Sequence, residues 1–171
     1  MTERLLQYIW QFRYFSSNML HTTTSQVLQI INPGIYNTNQ GPDFLNAKIK
    51  VDGTIWAGSV ELHIRTSEWL VHKHSQDSNY NNVILHVVWM NDIELQLPFP
   101  ALELQHNVPK LLLDKFNTLM QGSKIIPCEN QVSNIEPIHL LAWKTSLLSE
   151  RLQSKTKQVE IFKKHIALAV K

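Results

Sequence analysis

Ala47-Lys48-Ile49-Lys50-Val51 alternates apolar with charged side chains, stops at Asp52-Gly53, and resumes through Val60-Glu61-Leu62-His63-Ile64. A period of two is the repeat of a pleated strand, and Asp-Gly between two such runs is a tight-turn signal. The stretch from 47 to 64 therefore predicts an antiparallel hairpin, the clearest supersecondary signal in the chain. Ala47, Ile49 and Val51 take one face of its first strand, with Lys48 and Lys50 on the other. Val60, Leu62 and Ile64 share a face of the second, leaving Glu61, His63 and Arg65 opposite. VILHVVW, from Val83 to Trp89, is a near-continuous apolar run that suits a strand buried on both sides, with His86 embedded in it.

Around this centre the other elements follow from their own signals. Thr2 offers an N-cap to a helix whose apolar residues Leu5, Leu6, Ile9, Trp10 and Phe12 fall mostly on one face. TTTSQVLQIINPG switches to β-formers and stops at Asn32-Pro33-Gly34, and IYNTNQGPDF reads as a polar loop. A short strand over Glu94–Leu97 is expected to pair with the buried strand after a turn at Asn91-Asp92. Beyond Pro98 the pattern is helical: Val108-Pro109 opens a helix over KLLLDKFNTLM, and residues 135–170 read as one long helix or two. The expected fold class is α/β (α+β), a mixed β-sheet with flanking helices over residues 1–107, followed by a helical segment over 108–171. A length of 171 residues at 43% hydrophobic fits one such core with appended helices.

Sixteen Lys plus Arg against fourteen Asp plus Glu give a formal charge of +2, too near neutral to announce a nucleic-acid or membrane partner by bulk electrostatics. A nucleic-acid role must rest on a local site. Cys128 is the lone cysteine, so no internal disulfide forms, which fits a reducing compartment; in IIPCEN it reads as a packed residue near a turn. The polar amino terminus and the lack of a long apolar run point to a cytoplasmic protein with no membrane association.

The chemistry-bearing residues gather in the β-region. Glu61 and His63 emerge on one face of a strand about 7 Å apart. Asp43, just before the preceding strand, approaches Glu61 if the hairpin bends. Two carboxylates so placed are ligands for a hard divalent cation such as Mg²⁺ or Mn²⁺, and a group two residues past the second, here His63, can orient or deprotonate an activated water. Gly41-Pro42 gives a rigid approach to Asp43, and Gly58 marks a bulge or close contact. His72, His74 and Asp77, with His63 or His86, compose a second, softer set of the kind zinc prefers. Each residue also has a plain structural role open to it: Asp43 as a turn residue, Glu61 as the wet side of a strand, His72 and His74 on a solvated loop, His86 as a satisfied core histidine. Co-location raises the functional reading, since four of the eight histidines lie between His63 and His86. Trp56 and Trp69 are expected to serve core or rim packing.

The stretches LLQYIWQ, NQGPDFLNAKI, WAGSVELHI, SEWLVHKHSQD and YNNVILHVVW together resemble the amino-terminal part of a bacterial family known as domain of unknown function 2851. That resemblance covers nearly the whole chain and implies that the present segment begins a longer protein; it implies no activity. More loosely, Pro42-Asp43, a hairpin spanning eighteen residues, and Glu61-Leu62-His63 are similar to the PD-(D/E)XK signature of restriction-endonuclease-like nucleases. This implies a nuclease-like core in which Asp43 and Glu61 bind Mg²⁺ or Mn²⁺, His63 replaces the signature Lys, and Glu3 matches an acid that some of these enzymes carry on the first helix. The implied function is metal-dependent hydrolysis of phosphodiester bonds in nucleic acid, with Lys48 and Lys50 as phosphate contacts. The alternatives are a non-catalytic interaction module that holds a partner, a second copy or the remainder of its own chain through its helical tail, and a zinc-binding protein that uses the His cluster.

Overall fold

Thr2 caps the first helix, α1 (Glu3–Gln11), by accepting a hydrogen bond from the Leu5 N–H at 3.3 Å. The computed structural model describes residues 1–121 and 135–169. Leu5, Leu6, Ile9 and Trp10 are buried on one stripe of α1, while Phe12 at its end is exposed and packs on Tyr8 with ring centroids 4.7 Å apart. The stripe lies on a sheet built from β1 (Leu20–His21), β2 (Val27–Asn32), β3 (Ile35–Tyr36), β4 (Phe44–Val51), β5 (Thr54–Arg65), β6 (Val83–Met90) and β7 (Ala101–Glu103). Among the described residues these form one seven-stranded sheet in the order β1-β2-β4-β5-β6-β7, with β3 also paired to β4. The β5–β6 and β6–β7 pairs are parallel and the others antiparallel, so the sheet is mixed and the fold is α+β.

The hairpin forms between β4 and β5, turning at Asp52 (φ 45°) and Gly53 (φ 90°), the left-handed pair that a tight two-residue turn requires. Asp52 also accepts from the Val27 N–H at 2.8 Å and so ties the turn to β2. Ala47, Ile49 and Val51 face the core with Val60 and Leu62 of β5 and Leu85 and Val87 of β6, opposite the α1 stripe. The reverse face of β5 and β6 is covered by the crossover between them, which contains the short helix α2 (Glu68–Val71). β6 is buried on both faces, as its apolar run requires.

Two local expectations are corrected. Ile35 and Tyr36, read as loop, form β3 because two β-formers can add to the free edge of β4 beyond Gly34. Glu94–Leu97 forms no strand; the partner of β6 is β7, and it runs parallel. Asn91 and Asp92 do not make a hairpin turn. Their side chains bind Thr66 Oγ1 at 2.6 Å and Ser67 Oγ at 2.7 Å, so the chain leaves β6 sideways and re-enters the sheet only past Pro98 and Pro100, which have no N–H for a ladder.

The chain divides into two units, Met1–Phe116 and Asn117–Lys171, and the division falls within α3 (Lys110–Gln121). Leu112, Leu113 and Phe116 of α3 pack on the core of the first unit. The second contains α4 (Pro137–Ala169), one continuous helix with Pro at its first position. Cys128 lies outside the described residues. Among the described residues no helix is long and apolar enough to cross a membrane.

Gly58 is where β5 meets the start of β6. A Cβ there would overlap the Asn82 carbonyl oxygen and Ile84 Cγ2, and that carbonyl already accepts from the Ser59 N–H at 2.8 Å, so it is not free to yield. Gly58→Ala is expected to cost about 1–3 kcal/mol in denaturant unfolding, whereas Ala57→Ser on the exposed neighbour should stay within about 0.5 kcal/mol. Equal midpoints for the two would show that the β5–β6 contact is looser than its geometry.

Candidate metal centre

A bulge at Leu45 and Asn46, the latter at φ 58°, shifts the register between β4 and β5 and turns the backbone of Asp43 toward β5. The shift leaves a gap in the ladder that side chains fill. The Asp43 N–H donates to Glu61 Oε2 at 3.0 Å, and the Leu62 N–H donates back to Asp43 Oδ2 at 3.0 Å. Gln7, from α1, donates to Asp43 Oδ1 at 2.8 Å. With Oε2 so held, Glu61 directs Oε1 at two imidazoles, His74 Nε2 at 3.4 Å and His63 Nε2 at 3.7 Å. Burial, reinforced by the charge of Asp43, pushes the Glu61 carboxyl up to about 9. Burial likewise raises Asp43 to about 6, against the backbone hydrogen bond from Leu62 that favours its charged form.

The imidazoles arrive from both sides of the crossover. His63 lies on β5 and His86 beside it on β6, where Glu61 and His86 are register partners. Thr66 and Ser67 are tied to Asn91 and Asp92, which closes the crossover over this face of the sheet. Within it, His72 ends α2, Lys73 takes a left-handed conformation at φ 58°, and His74 begins the next turn. The reversal at Lys73 brings both neighbouring rings inward. His63 Nε2 lies 3.0 Å from His72 Nδ1 and 3.3 Å from His74 Nε2, while His63 Nδ1 lies 2.8 Å from His86 Nε2. Trp69 packs against His74 and His86 with centroids 5.1 and 5.2 Å away, and Tyr80 stacks on His74 at 3.8 Å. Glu61, His63, His74 and His86 are buried and His72 is exposed. Burial, then the neighbouring imidazoles, pushes His63 far below the usual histidine range, and burial pushes His74 to about 4 and His86 to about 3.

Asp43, Glu61, His63, His72, His74 and His86 are thus brought to one place. Asp77 touches the cluster only through its backbone, its N–H donating to the His74 carbonyl at 3.1 Å, while its carboxylate caps the next turn by accepting from the Asn79 N–H at 2.9 Å. Lys48 lies on the Glu61 face of the sheet, but its partner Ala57 is four residues before Glu61, which places it roughly 13 Å along the strand; Lys50 lies further still. The charge of Glu3 is close enough to raise both Asp43 and Glu61. Trp69 is buried and Trp56 packs on the core. Gln7 and Tyr80 were not legible as site residues: a glutamine on an amphipathic helix and a tyrosine before a strand carry no local signal.

One ring nitrogen from each of His63, His72 and His74 lies within 4.8 Å of the other two. Three imidazoles and a carboxylate converging from four backbone positions can share a metal ion or a proton. A family model described as a protein of unknown function, DUF2851, matches residues 3–167, and the chain belongs to that family. No curated protein and no solved structure matches it.

Without metal, the two kinds of buried group act on stability at opposite ends of the pH scale. The carboxyl of Glu61 titrates higher folded (about 9) than its ordinary 4.5, so stability falls as pH rises between these values. His63, His74 and His86 titrate below the ordinary 6.5, so stability falls as pH drops under 6.5. In excess chelator, the denaturant midpoint of the wild type should decline from pH 6.5 toward 9, and that of Glu61→Gln should stay level over the same interval. Parallel declines in the two proteins would mean that Glu61 is not the buried acid responsible.

Proposed function

We propose that this member of the DUF2851 family is a metal-dependent hydrolase of phosphodiester bonds in nucleic acid, with its chemistry at Asp43, Glu61 and the imidazoles beside them. The observation that carries the reading is the meeting of Asp43 and Glu61, eighteen residues apart, at one end of the hairpin and facing His63. The order of helix, strand, hairpin, crossover and parallel strand supports it, being the order that the PD-(D/E)XK resemblance implies. The donor set also fits a cation: two close, desolvated carboxylates repel each other, and a divalent ion relieves that repulsion.

A bound ion would supply Lewis acidity toward a phosphate oxygen and a more acidic water. The protein's own groups do the rest. Glu61, fixed through Oε2 by the Asp43 N–H, presents Oε1 as an anionic donor in one orientation. Asp43, held by Leu62 and Gln7, keeps it there. His63 is neutral in its buried place, so it cannot act as the fixed cation that Lys provides in the signature; it aligns Glu61 and the other rings instead. His72, exposed at the mouth, is the imidazole placed to pass a proton to solvent. Lys48 and Lys50 extend the same face as contacts for the phosphate backbone. A cytoplasmic setting belongs to the same reading, on the strength of the lone Cys128. The second reading, a metal-stabilised module without catalysis, is favoured by the burial of Glu61, His63 and His74, which leaves His72 as the exposed member.

With labelled DNA and RNA and a panel of divalent ions, the wild type is expected to cleave. Asp43→Asn and Glu61→Gln should each lower the rate roughly 10²-fold or more. Lys48→Ala together with Lys50→Ala should raise KM and flatten the salt dependence with kcat nearly unchanged. Cleavage that persists in both carboxylate variants would refute the assignment, and no cleavage with any ion would favour the second reading.

A further inference from the structure

The separations among the donors carry more information than their identities. Zinc bonds of about 2.0–2.2 Å to imidazole nitrogen and carboxylate oxygen, arranged tetrahedrally, place neighbouring donor atoms about 3.3–3.5 Å apart. Here His63 Nε2 to His74 Nε2 is 3.3 Å, Glu61 Oε1 to His74 Nε2 is 3.4 Å, Glu61 Oε1 to His63 Nε2 is 3.7 Å, and His63 Nε2 to His72 Nδ1 is 3.0 Å. Four of the six edges of a tetrahedron on these donors are therefore near its length, and the exposed His72, a nitrogen of which already lies within 4.8 Å of those of His63 and His74, completes the other two by moving inward. Direct hydrogen bonding among them serves the same atoms poorly: one Nε2 faces two other ring nitrogens and a carboxylate oxygen at once, and a ring nitrogen has only one hydrogen or one lone pair to share among the three.

We infer that Glu61, His63, His72 and His74 form a four-donor site for zinc, a borderline-soft transition ion, and that His86 is a positioning residue for this site. This rests on reading the cluster as a metal centre and does not require that nucleic acid be a substrate. Three imidazoles with one carboxylate are the donors of zinc and its neighbours; a hard ion such as Mg²⁺ takes oxygen donors and keeps its waters. Ligation through Nε2 puts the remaining proton of His63 on Nδ1, where it donates to His86 Nε2 at 2.8 Å, the outer contact that ligating histidines ordinarily make. Asp43 holds Glu61 Oε2 and leaves Oε1 as the single ligating oxygen. Trp69 packs on His74 and His86 and Tyr80 stacks on His74, which holds these rings in place. His72 is the one exposed donor of the four, so it is the side from which solvent and an entering ion reach the site.

The test uses the full chain stripped with chelator and titrated with Zn²⁺, with Mg²⁺ and with Co²⁺ as a spectroscopic probe. Expected are one zinc per chain, no competition from Mg²⁺ at equal concentration, and Co²⁺ visible bands of tetrahedral intensity. His72→Ala, at an exposed position where folding is little threatened, should weaken zinc by at least about 100-fold and shift the Co²⁺ bands, and His86→Gln should weaken it about 10–100-fold with the bands retained. Circular dichroism of each variant in chelator checks that the fold persists. Absence of stoichiometric zinc, Mg²⁺ competing on equal terms, or unchanged affinity in His72→Ala would overturn the inference. Zinc bound in this pattern by a protein that cleaves no nucleic acid leaves the inference standing and removes the hydrolase reading. Cleavage with Mg²⁺ by a protein that binds no zinc does the reverse.

Discussion

Glu61 is a carboxylate at the centre of a strand whose two faces are both covered, and its burial is the constraint around which this region is built. A buried carboxylate without partners would cost several kcal/mol. One of its oxygens is met by the Asp43 N–H, which requires Asp43 to face β5, which in turn requires the bulge at Leu45 and Asn46. The other oxygen is met by His74 and His63, which requires the crossover to fold back over the sheet. The ties from Thr66 and Ser67 to Asn91 and Asp92 hold that crossover in place. Bulge and crossover are thus the two features that satisfy this one side chain.

The parts of this arrangement that were legible in the sequence are those encoded by neighbours along the chain. Alternation around Lys48 and Lys50, Asp52-Gly53 and the apolar run of β6 each specify a local geometry, and the structure has each of them. Glu61 and His63 were legible as sharing a face, because i and i+2 on a strand must. Their burial was not: the same alternation describes a wet face unless one knows that residues 66–82 will lie across it. Nor could the sequence tell Asp77 from His74, since both are polar residues in the crossover, and only the reversal at Lys73 sends one inward while the other caps a turn. The strand expected at Glu94–Leu97 failed for a related reason. Asn91-Asp92 is a turn signal by composition, but here its side chains are taken by Thr66 and Ser67 across the sheet, and a competing long-range bond overrode local turn chemistry.

The charge balance of the site bears on which of its possible occupants it suits. Asp43 and Glu61 are close together, and Glu3 on α1 adds to their mutual repulsion. His63 and His86 beside them are held neutral by burial and by neighbouring imidazoles. In the nuclease signature a lysine would offset part of the negative charge; His63, buried and bonded at both nitrogens, does not. Two arrangements can therefore stabilise the cluster. A proton can sit on Glu61, which its raised pKa favours, or a dication can sit among the donors and leave both carboxylates ionised.

The two arrangements differ in what they ask of the rings. A proton on Glu61 is donated to one acceptor and leaves His63 Nε2, with one hydrogen or one lone pair to offer, facing the nitrogens of both His72 and His74. A dication accepts a lone pair from each and needs no hydrogen among them, so the same inward convergence that is poorly satisfied by protons is fully satisfied by an ion. The cost then moves to the outer side of the cluster. With His63 donating from Nδ1 to His86 Nε2, the proton of His86 resides on its own Nδ1, a buried atom without a hydrogen-bond partner among the described residues. A buried donor left unpaired costs on the order of 1–3 kcal/mol, small against the roughly 10 kcal/mol and more that a structural zinc site can return at neutral pH. On that comparison an unsatisfied His86 is tolerable in a chain that binds the ion and a net liability in one that does not, so the stability of a neutral imidazole in the middle of β6 is coupled to occupancy of the site beside it.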